Sequence, residues 1–182
     1  VNAENKESQD ICFIPDGDYV GFLRRSRAQE EEREAAPPYA AGDFVDETGA
    51  VVGRHQGLVA YTIGQRKGLG LSLKEPKYVY RKDVENNTVH IGPEPLLMRR
   101  TLVAEDFNWL SVPPPPVGEA IRVTASTRYR QRAQAAEAVR NADDTVTVTF
   151  YESVRAIAAG QAAVLYDGEL VVGGGTISRV CG

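Results

Sequence analysis

Cysteine is almost missing from this chain: two residues in 182, Cys12 and Cys181. That scarcity excludes a disulfide-stapled scaffold and a multi-cysteine metal cluster, and it suits a reducing compartment. Histidine is equally scarce. His55 and His90 have no cysteine or carboxylate at ligand spacing, which argues against a metal site. No apolar run approaches the length of a membrane span, and no basic-then-apolar signal pattern opens the chain. The expectation is a cytoplasmic protein with no membrane partner. A surplus of positive charge is also lacking: the net charge is −4, unlike that of a general nucleic-acid binder. No Ser-His-Asp ordering stands out, and no carboxylate pair has a distinctive context.

What is present is ordinary for a globular protein, with 42% hydrophobic and 25% charged residues, enough for one domain or two small ones. The charge is unevenly spread. Glu30, Glu31, Glu32 and Glu34 load one segment with acid, while Arg122, Arg128, Arg130 and Arg132 concentrate positive charge elsewhere. Local patches, not totals, decide where phosphates bind.

Residues 16–35 have helical spacing, with Tyr19, Val20, Phe22 and Leu23 on one face and Pro37-Pro38 ending the run. Cys12 stands just ahead of it. The free N–H groups and dipole of a helix start favour a thiolate, the form that attacks or carries sulfur. Ile11, Phe13 and Ile14 equally allow a plain buried thiol. The polar first ten residues lead straight to this cysteine from a Val start, which reads as the cut edge of something larger. Cys181, next to last, is expected on a terminal tail with no role.

Residues 44–52 read as a hairpin turning at Thr48-Gly49, and 53–62 as a compact segment in which Leu58, Val59 and Tyr61 could form a short helix or turn. Strands over 77–83 and 88–91 are joined at Glu85-Asn86-Asn87. Further strands follow over 102–109, 120–127, 145–151, 162–166, 169–172 and 176–180. Pro113-Pro-Pro-Pro116, residues 141–144, Asp167-Gly168 and Gly173-Gly-Gly175 are the spacers. Short strands at such intervals predict a small closed barrel. Residues 131–140 are alanine-rich and helical by propensity, but the turn and the alternating Val146, Val148 and Phe150 that follow favour a strand.

Two basic motifs invite a polyanion. Gly64-Gln-Arg-Lys-Gly-Leu-Gly70 fails as a phosphate loop, because no Gly-Lys-Ser/Thr closes it and the third glycine of a dinucleotide fingerprint is missing. It remains a turn carrying Arg66 and Lys67. Thr127-Arg-Tyr-Arg-Gln131 places arginines around an aromatic ring, the combination that holds phosphates and stacks on unpaired RNA bases. A strand end with an exposed arginine and a buried tyrosine would read identically.

Seven motifs occur in order: Asp10-Ile-Cys-Phe-Ile-Pro15, Gly53-Arg-His-Gln-Gly57, Tyr61-Thr-Ile-Gly-Gln-Arg-Lys-Gly-Leu-Gly70, Lys82-Asp-Val-Glu-Asn-Asn87, Thr127-Arg-Tyr-Arg-Gln131, Gly160-Gln161 and Gly173-Gly-Gly-Thr-Ile177. From about Glu7 to Val180 the chain resembles the bacterial tRNA-specific 2-thiouridylase family (tRNA-uridine 2-sulfurtransferases). The resemblance implies a C-terminal half without the ATP-pyrophosphatase domain. ATP would be bound by that absent domain, and no metal is implied here. The implied fold is mainly β: a small central α+β adaptor, then a six-stranded antiparallel β-barrel, preceded by a helix left over from the catalytic domain. The implied boundaries are 1–38, 39–101 and 102–182.

By the same resemblance Cys12 is the catalytic sulfur carrier. It receives a persulfide from a cysteine desulfurase or sulfur-relay protein, for transfer to the ATP-activated wobble uridine. Arg128, Tyr129 and Gln161 match tRNA-binding positions. The chain alone would be inactive. The acidic stretch 29–36 is longer than the family pattern leads one to expect. The alternative, from another class, is a non-catalytic RNA-binding β-barrel module of translation-factor type.

Overall fold

A computed structural model describes residues 21, 38–128 and 131–181. Cys12, Tyr129 and the helical run expected over 16–35 lie outside the described residues, apart from Gly21, which is helical. The described residues form two compact units. One comprises those up to Thr62 with Lys67–Ser72 and Arg81–Ile91, the other Ile63–Arg66, Leu73–Tyr80 and the chain from Gly92 onward.

A four-stranded mixed sheet is built from β1 (Gly42–Val45), β2 (Val51–His55), β3 (Tyr78–Asp83) and β4 (Thr88–Gly92), in the order β2-β1-β4-β3. The β1–β2 turn is organised by Asp46, whose Oδ1 accepts from Thr48 N–H at 2.9 Å and Ala50 N–H at 3.1 Å, with Gly49 at φ 87°. Two local hairpins were legible in the sequence. What joins them is a parallel pairing of β1 with β4, Asp43 opposite Thr88 and Phe44 opposite Val89. Leu58–Ala60 forms a single 3-10 turn, while Gly53–His55, ahead of it, continues β2.

Phe44, His55 and Tyr61 pack edge to face around the first unit's core, with ring centroids 5.1 to 5.9 Å apart. His55 is buried yet fully engaged. Gly57 N–H donates to its Nδ1 at 3.0 Å, so its Nε2–H donates to Asn87 O, also at 3.0 Å. That pattern requires the neutral ring.

The second unit is a closed barrel in the order β10-β5-β8-β7-β6-β9. Its strands are β5 (Met98–Trp109), β6 (Ala120–Ser126), β7 (Gln134–Arg140), β8 (Val146–Arg155), β9 (Ala162–Asp167) and β10 (Leu170–Cys181). Closure leaves no unpaired strand edge. The interior mixes large and small side chains, with Leu102, Val148, Phe150, Leu165 and Ile177 beside Ala104, Ala125, Ala136, Ala138 and Ala163. This mixture decides the alanine-rich segment. Ala136 pairs with Phe150 and Ala138 with Val148. Burial in a narrow barrel that needs small residues beside large ones outweighs a helix propensity of a few tenths of a kcal/mol per residue.

Two expectations are corrected. Gly173-Gly-Gly175 is not a spacer between two strands but lies inside the continuous strand β10. An added Cβ at Gly173 would meet Asn108 O at 2.4 Å, and one at Gly175 would meet Glu105 O at 2.6 Å. The glycines are there because β5 lies too close for any side chain. Cys181 is not on a tail. It ends β10, half-buried, opposite Thr101. Among the described residues no helix is long and apolar enough to cross a membrane.

Gly175→Ala is expected to lower barrel stability by about 1–3 kcal/mol through backbone displacement, read as a fall in the urea midpoint; an unchanged midpoint contradicts the close approach. Burial holds the His55 pKa below its ordinary value, and His90 is lowered too, by burial and then by the Arg81 charge. The unfolded chain therefore binds more protons between each lowered value and about 6.5, and stability is lost as pH falls below about 6.5. Ring NMR titration should show His55 as the neutral Nε2–H tautomer with a pKa under 6.5. A ring that titrates at or above that value refutes the buried-neutral assignment.

Candidate nucleic-acid interface

Antiparallel connectivity brings three segments to one end of the barrel: the β6–β7 loop, the β8–β9 loop and the start of β5. β6 and β9 are neighbours, with Ser126 opposite Val164, so the chain leaving β6 at Arg128 and the chain entering β9 at Gln161 emerge side by side. Two residues matched separately in the sequence thus share a barrel end.

The β6–β7 loop is tied at its base. Thr127 is buried and its hydroxyl donates to Gln131 Oε1 at 3.0 Å. Ser126 Oγ reaches Arg128 O at 3.0 Å and Gln131 O at 3.2 Å, and Gln131 N–H donates to Arg128 O at 3.1 Å. Tyr129 and Arg130, between them in sequence, lie outside the described residues.

Arg128 itself is half-buried. Its Nη2 donates to Ile63 O at 3.0 Å and to Ala156 O at 2.8 Å. Ala156 has φ 56°, a conformation uncommon outside glycine, and its own N–H donates to Leu97 O at 2.8 Å. Burial and then the neighbouring Arg155 charge lower the Arg128 pKa, but a guanidinium remains charged at neutral pH. Arg155 is engaged elsewhere: its Nε donates to Glu94 Oε1 at 2.7 Å and its guanidinium lies 5.1 Å over the Tyr78 ring.

Gly64 lies where these groups converge. With φ 89°, its Cβ position is 3.0 Å from Ala156 Cβ, 3.6 Å from Arg128 Nη2 and 3.7 Å from Arg155 Nη1. Gly64 N–H donates to Val79 O at 2.8 Å, and Val79 N–H to Gln65 O at 2.9 Å. Both basic motifs of the sequence therefore meet: the carbonyl of Ile63, just ahead of Gly64-Gln-Arg66, accepts from the arginine of Thr127-Arg-Tyr. Arg66 is exposed at its end. Sequence reasoning missed Arg155 and the Ile63 and Ala156 acceptors. Carbonyl acceptors leave no side-chain signature, so no motif could have announced them.

Gln161 is exposed, and its backbone is fixed by Ile177 N–H donating to its carbonyl at 2.8 Å, while Gly160 N–H donates to Ile177 O at 2.8 Å. Its side chain is left facing solvent. The opposite end of the barrel has the other sign. There Glu105, Asp106, Asp143 and Asp144 line an open groove of about 530 Å³ with Phe107 and Trp109. Arg140 is paired to Asp144 at 2.5 Å. Carboxylates at that end repel phosphate, and the arginine end is the one suited to a polyanion. Among the described residues no group of three or more His, Cys, Asp or Glu is arranged to hold a metal ion.

Comparison with known proteins agrees with this architecture. Residues 34–93 match the tRNA methyl transferase PRC-barrel domain and residues 99–177 the aminomethyltransferase beta-barrel domain. The tRNA-specific 2-thiouridylase MnmA of Chlorobaculum tepidum is 42% identical over 178 residues, 98% of this chain and 47% of that protein. The MnmA of Carboxydothermus hydrogenoformans is 44% identical over 98% of this chain, and that of Clostridioides difficile 38% over 95%. The chain matches the C-terminal part of the tRNA-specific 2-thiouridylases. It spans about half the length of these curated relatives.

Gly64→Ala is expected to destabilise the barrel unit by about 1–3 kcal/mol, more than Gly160→Ala, because both have a positive φ but only Gly64 is crowded. Equal losses in chemical denaturation contradict the crowding at Gly64.

Proposed function

We propose that this chain is the sulfur-carrying and tRNA-holding part of an enzyme that 2-thiolates the wobble uridine of tRNA. The observation that carries the reading is identity of about 42% along 98% of the chain to a protein named tRNA-specific 2-thiouridylase. On this reading residues 1–38 bring the sulfur carrier, 39–101 form an adaptor and 102–182 hold the tRNA. Cys12 is the catalytic residue. Its thiolate attacks the outer sulfur of a persulfide on a cysteine desulfurase or relay protein. The donor's S–S bond breaks, the donor thiolate leaves, and Cys12 carries the sulfane sulfur.

Arg128, Tyr129 and Gln161 belong to the tRNA-holding edge. Support comes from the shared barrel end of Arg128 and Gln161 and from the carboxylates gathered at the other end. The ATP implied by the family has no fit among the described residues. In the one glycine-rich turn, Gly64 N–H is bonded to Val79 O, and the Cβ side of Gly64 is closed by Ala156 and two arginines. Activation of the base is therefore assigned to a part of the enzyme other than these residues.

The test is the 2-thiouridine content of tRNA made by the full-length protein. Cys12→Ser is expected to abolish it, Cys181→Ser to leave it near normal, and the 182-residue chain alone to make none. Normal thiolation by the Cys12→Ser protein overturns the reading and leaves a non-catalytic RNA-binding barrel.

A further inference from the structure

β8 breaks its own alternation at one place. Buried residues recur at Val146, Val148 and Phe150, and the same period would turn Glu152 into the apolar interior ahead of Val154. A carboxylate is not tolerated there, and Tyr151, Glu152 and Ser153 are all exposed instead. The pairing with β5 absorbs the difference. Arg99 stands opposite Val154 and Thr101 opposite Thr149, so Arg100 alone faces residues 150–153. The extra length makes a bulge in the barrel wall, close to where β8 runs on to Ala156. Two side chains are fixed in it. Arg100 is exposed, and its Nε donates at 3.1 Å to Phe150 O, the carbonyl of the peptide leading into Tyr151. That bond leaves the Nη1–Nη2 edge of the fork for another acceptor. Among the described residues no carboxylate pairs with Arg100, in contrast to Arg140 and Arg155. Tyr151 is 45% exposed, and its hydroxyl donates to Glu137 Oε1 at 3.0 Å, which holds the ring by its tip. Glu137 in turn lies opposite Arg122 on β6.

We propose that Arg100 and Tyr151 form an RNA contact on the barrel wall, Arg100 taking a phosphate and Tyr151 stacking on an unpaired base. The proposal rests on the tRNA-holding reading above and extends it from the rim to the wall below. A cationic fork beside a flat ring is the pairing that single-stranded RNA selects. A guanidinium already fixed through Nε and a ring already fixed at its hydroxyl lose little freedom when the ligand arrives. The outward neighbours Thr101, Thr149 and Glu137 are polar, so the pair lacks the apolar surround that forms the core of a protein interface. Glu152, exposed in the same bulge, sets a negative charge against the phosphate.

The experiment measures the affinity of the full-length protein for unfractionated tRNA and for a fully paired RNA duplex over a range of salt. Arg100→Gln is expected to weaken tRNA binding about tenfold and to flatten the log–log salt slope by about 0.7–0.9. Tyr151→Ala should weaken it about tenfold with the slope unchanged, and should leave duplex binding alone, where no base is free to stack. Tyr151→Phe keeps the ring and should stay within about threefold of the wild type. Glu152→Gln should tighten tRNA binding about twofold. Should Arg100→Gln or Tyr151→Ala fail to fold, Glu152→Gln decides, and an affinity it leaves unchanged overturns the proposal. Wild-type affinity in a folded Arg100→Gln or Tyr151→Ala protein overturns it too, as does a Tyr151→Ala loss of equal size on the duplex. Unchanged tRNA affinity with thiolation lost in the presence of the sulfur-donor protein also overturns it, because the bulge is then a protein contact. A wild-type protein with no affinity for tRNA defeats the underlying reading instead.

Discussion

The barrel depends on how closely its last strand approaches its first. β10 and β5 pair from Gly173 opposite Trp109 to Cys181 opposite Thr101, and the glycines in that stretch let β5 main-chain oxygens come within 2.4 to 2.6 Å of where a Cβ would stand. With side chains there the two strands would part, and a six-stranded sheet would be left open with two bare edges. Closure fixes the ends of the other four strands. Arg128, at the end of β6, and Gln161, at the start of β9, therefore stand on one rim.

That rim is organised by main-chain groups more than by side chains. Arg128 grips two carbonyls, Ser126 and Thr127 tie the base of its own loop, and Gln161 is anchored through its backbone to Ile177. Such a surface suits a ligand recognised by backbone charge and shape, as RNA is. The carboxylate-lined groove at the opposite rim gives the barrel a polarity that its near-neutral composition conceals.

Much of this architecture was legible in the sequence, and the exceptions have physical causes. Local signals sufficed for the β1–β2 hairpin, with Asp46 and Gly49 at its turn, and for β3 and β4 around Asn86-Asn87. The parallel pairing of β1 with β4 was not legible, because no local pattern encodes which strands meet across forty residues. Gly173-Gly-Gly175 was misread because glycine marks both turns and close backbone approach, and only the neighbour decides which. The strand over 134–140 ran against alanine's propensity, and the alternation that followed it was the better guide. At the candidate interface, Arg128 and Gln161 were identified by motif, whereas the meeting of Arg128 with Ile63 depends on carbonyls that no motif displays.

One feature of the topology bears on how the molecule comes into being. Because the strand ending at Cys181 is the partner of the one containing Thr101, the barrel cannot shut until its final segment is available. Joining ends so far apart in sequence carries a loop-closure penalty that earlier hairpins do not face. A nascent chain emerging from the ribosome would hold β5 through β9 as an unsealed ribbon with two sticky borders. The closing staves stand at opposite ends of the domain, so the seal is the last thing the chain can make.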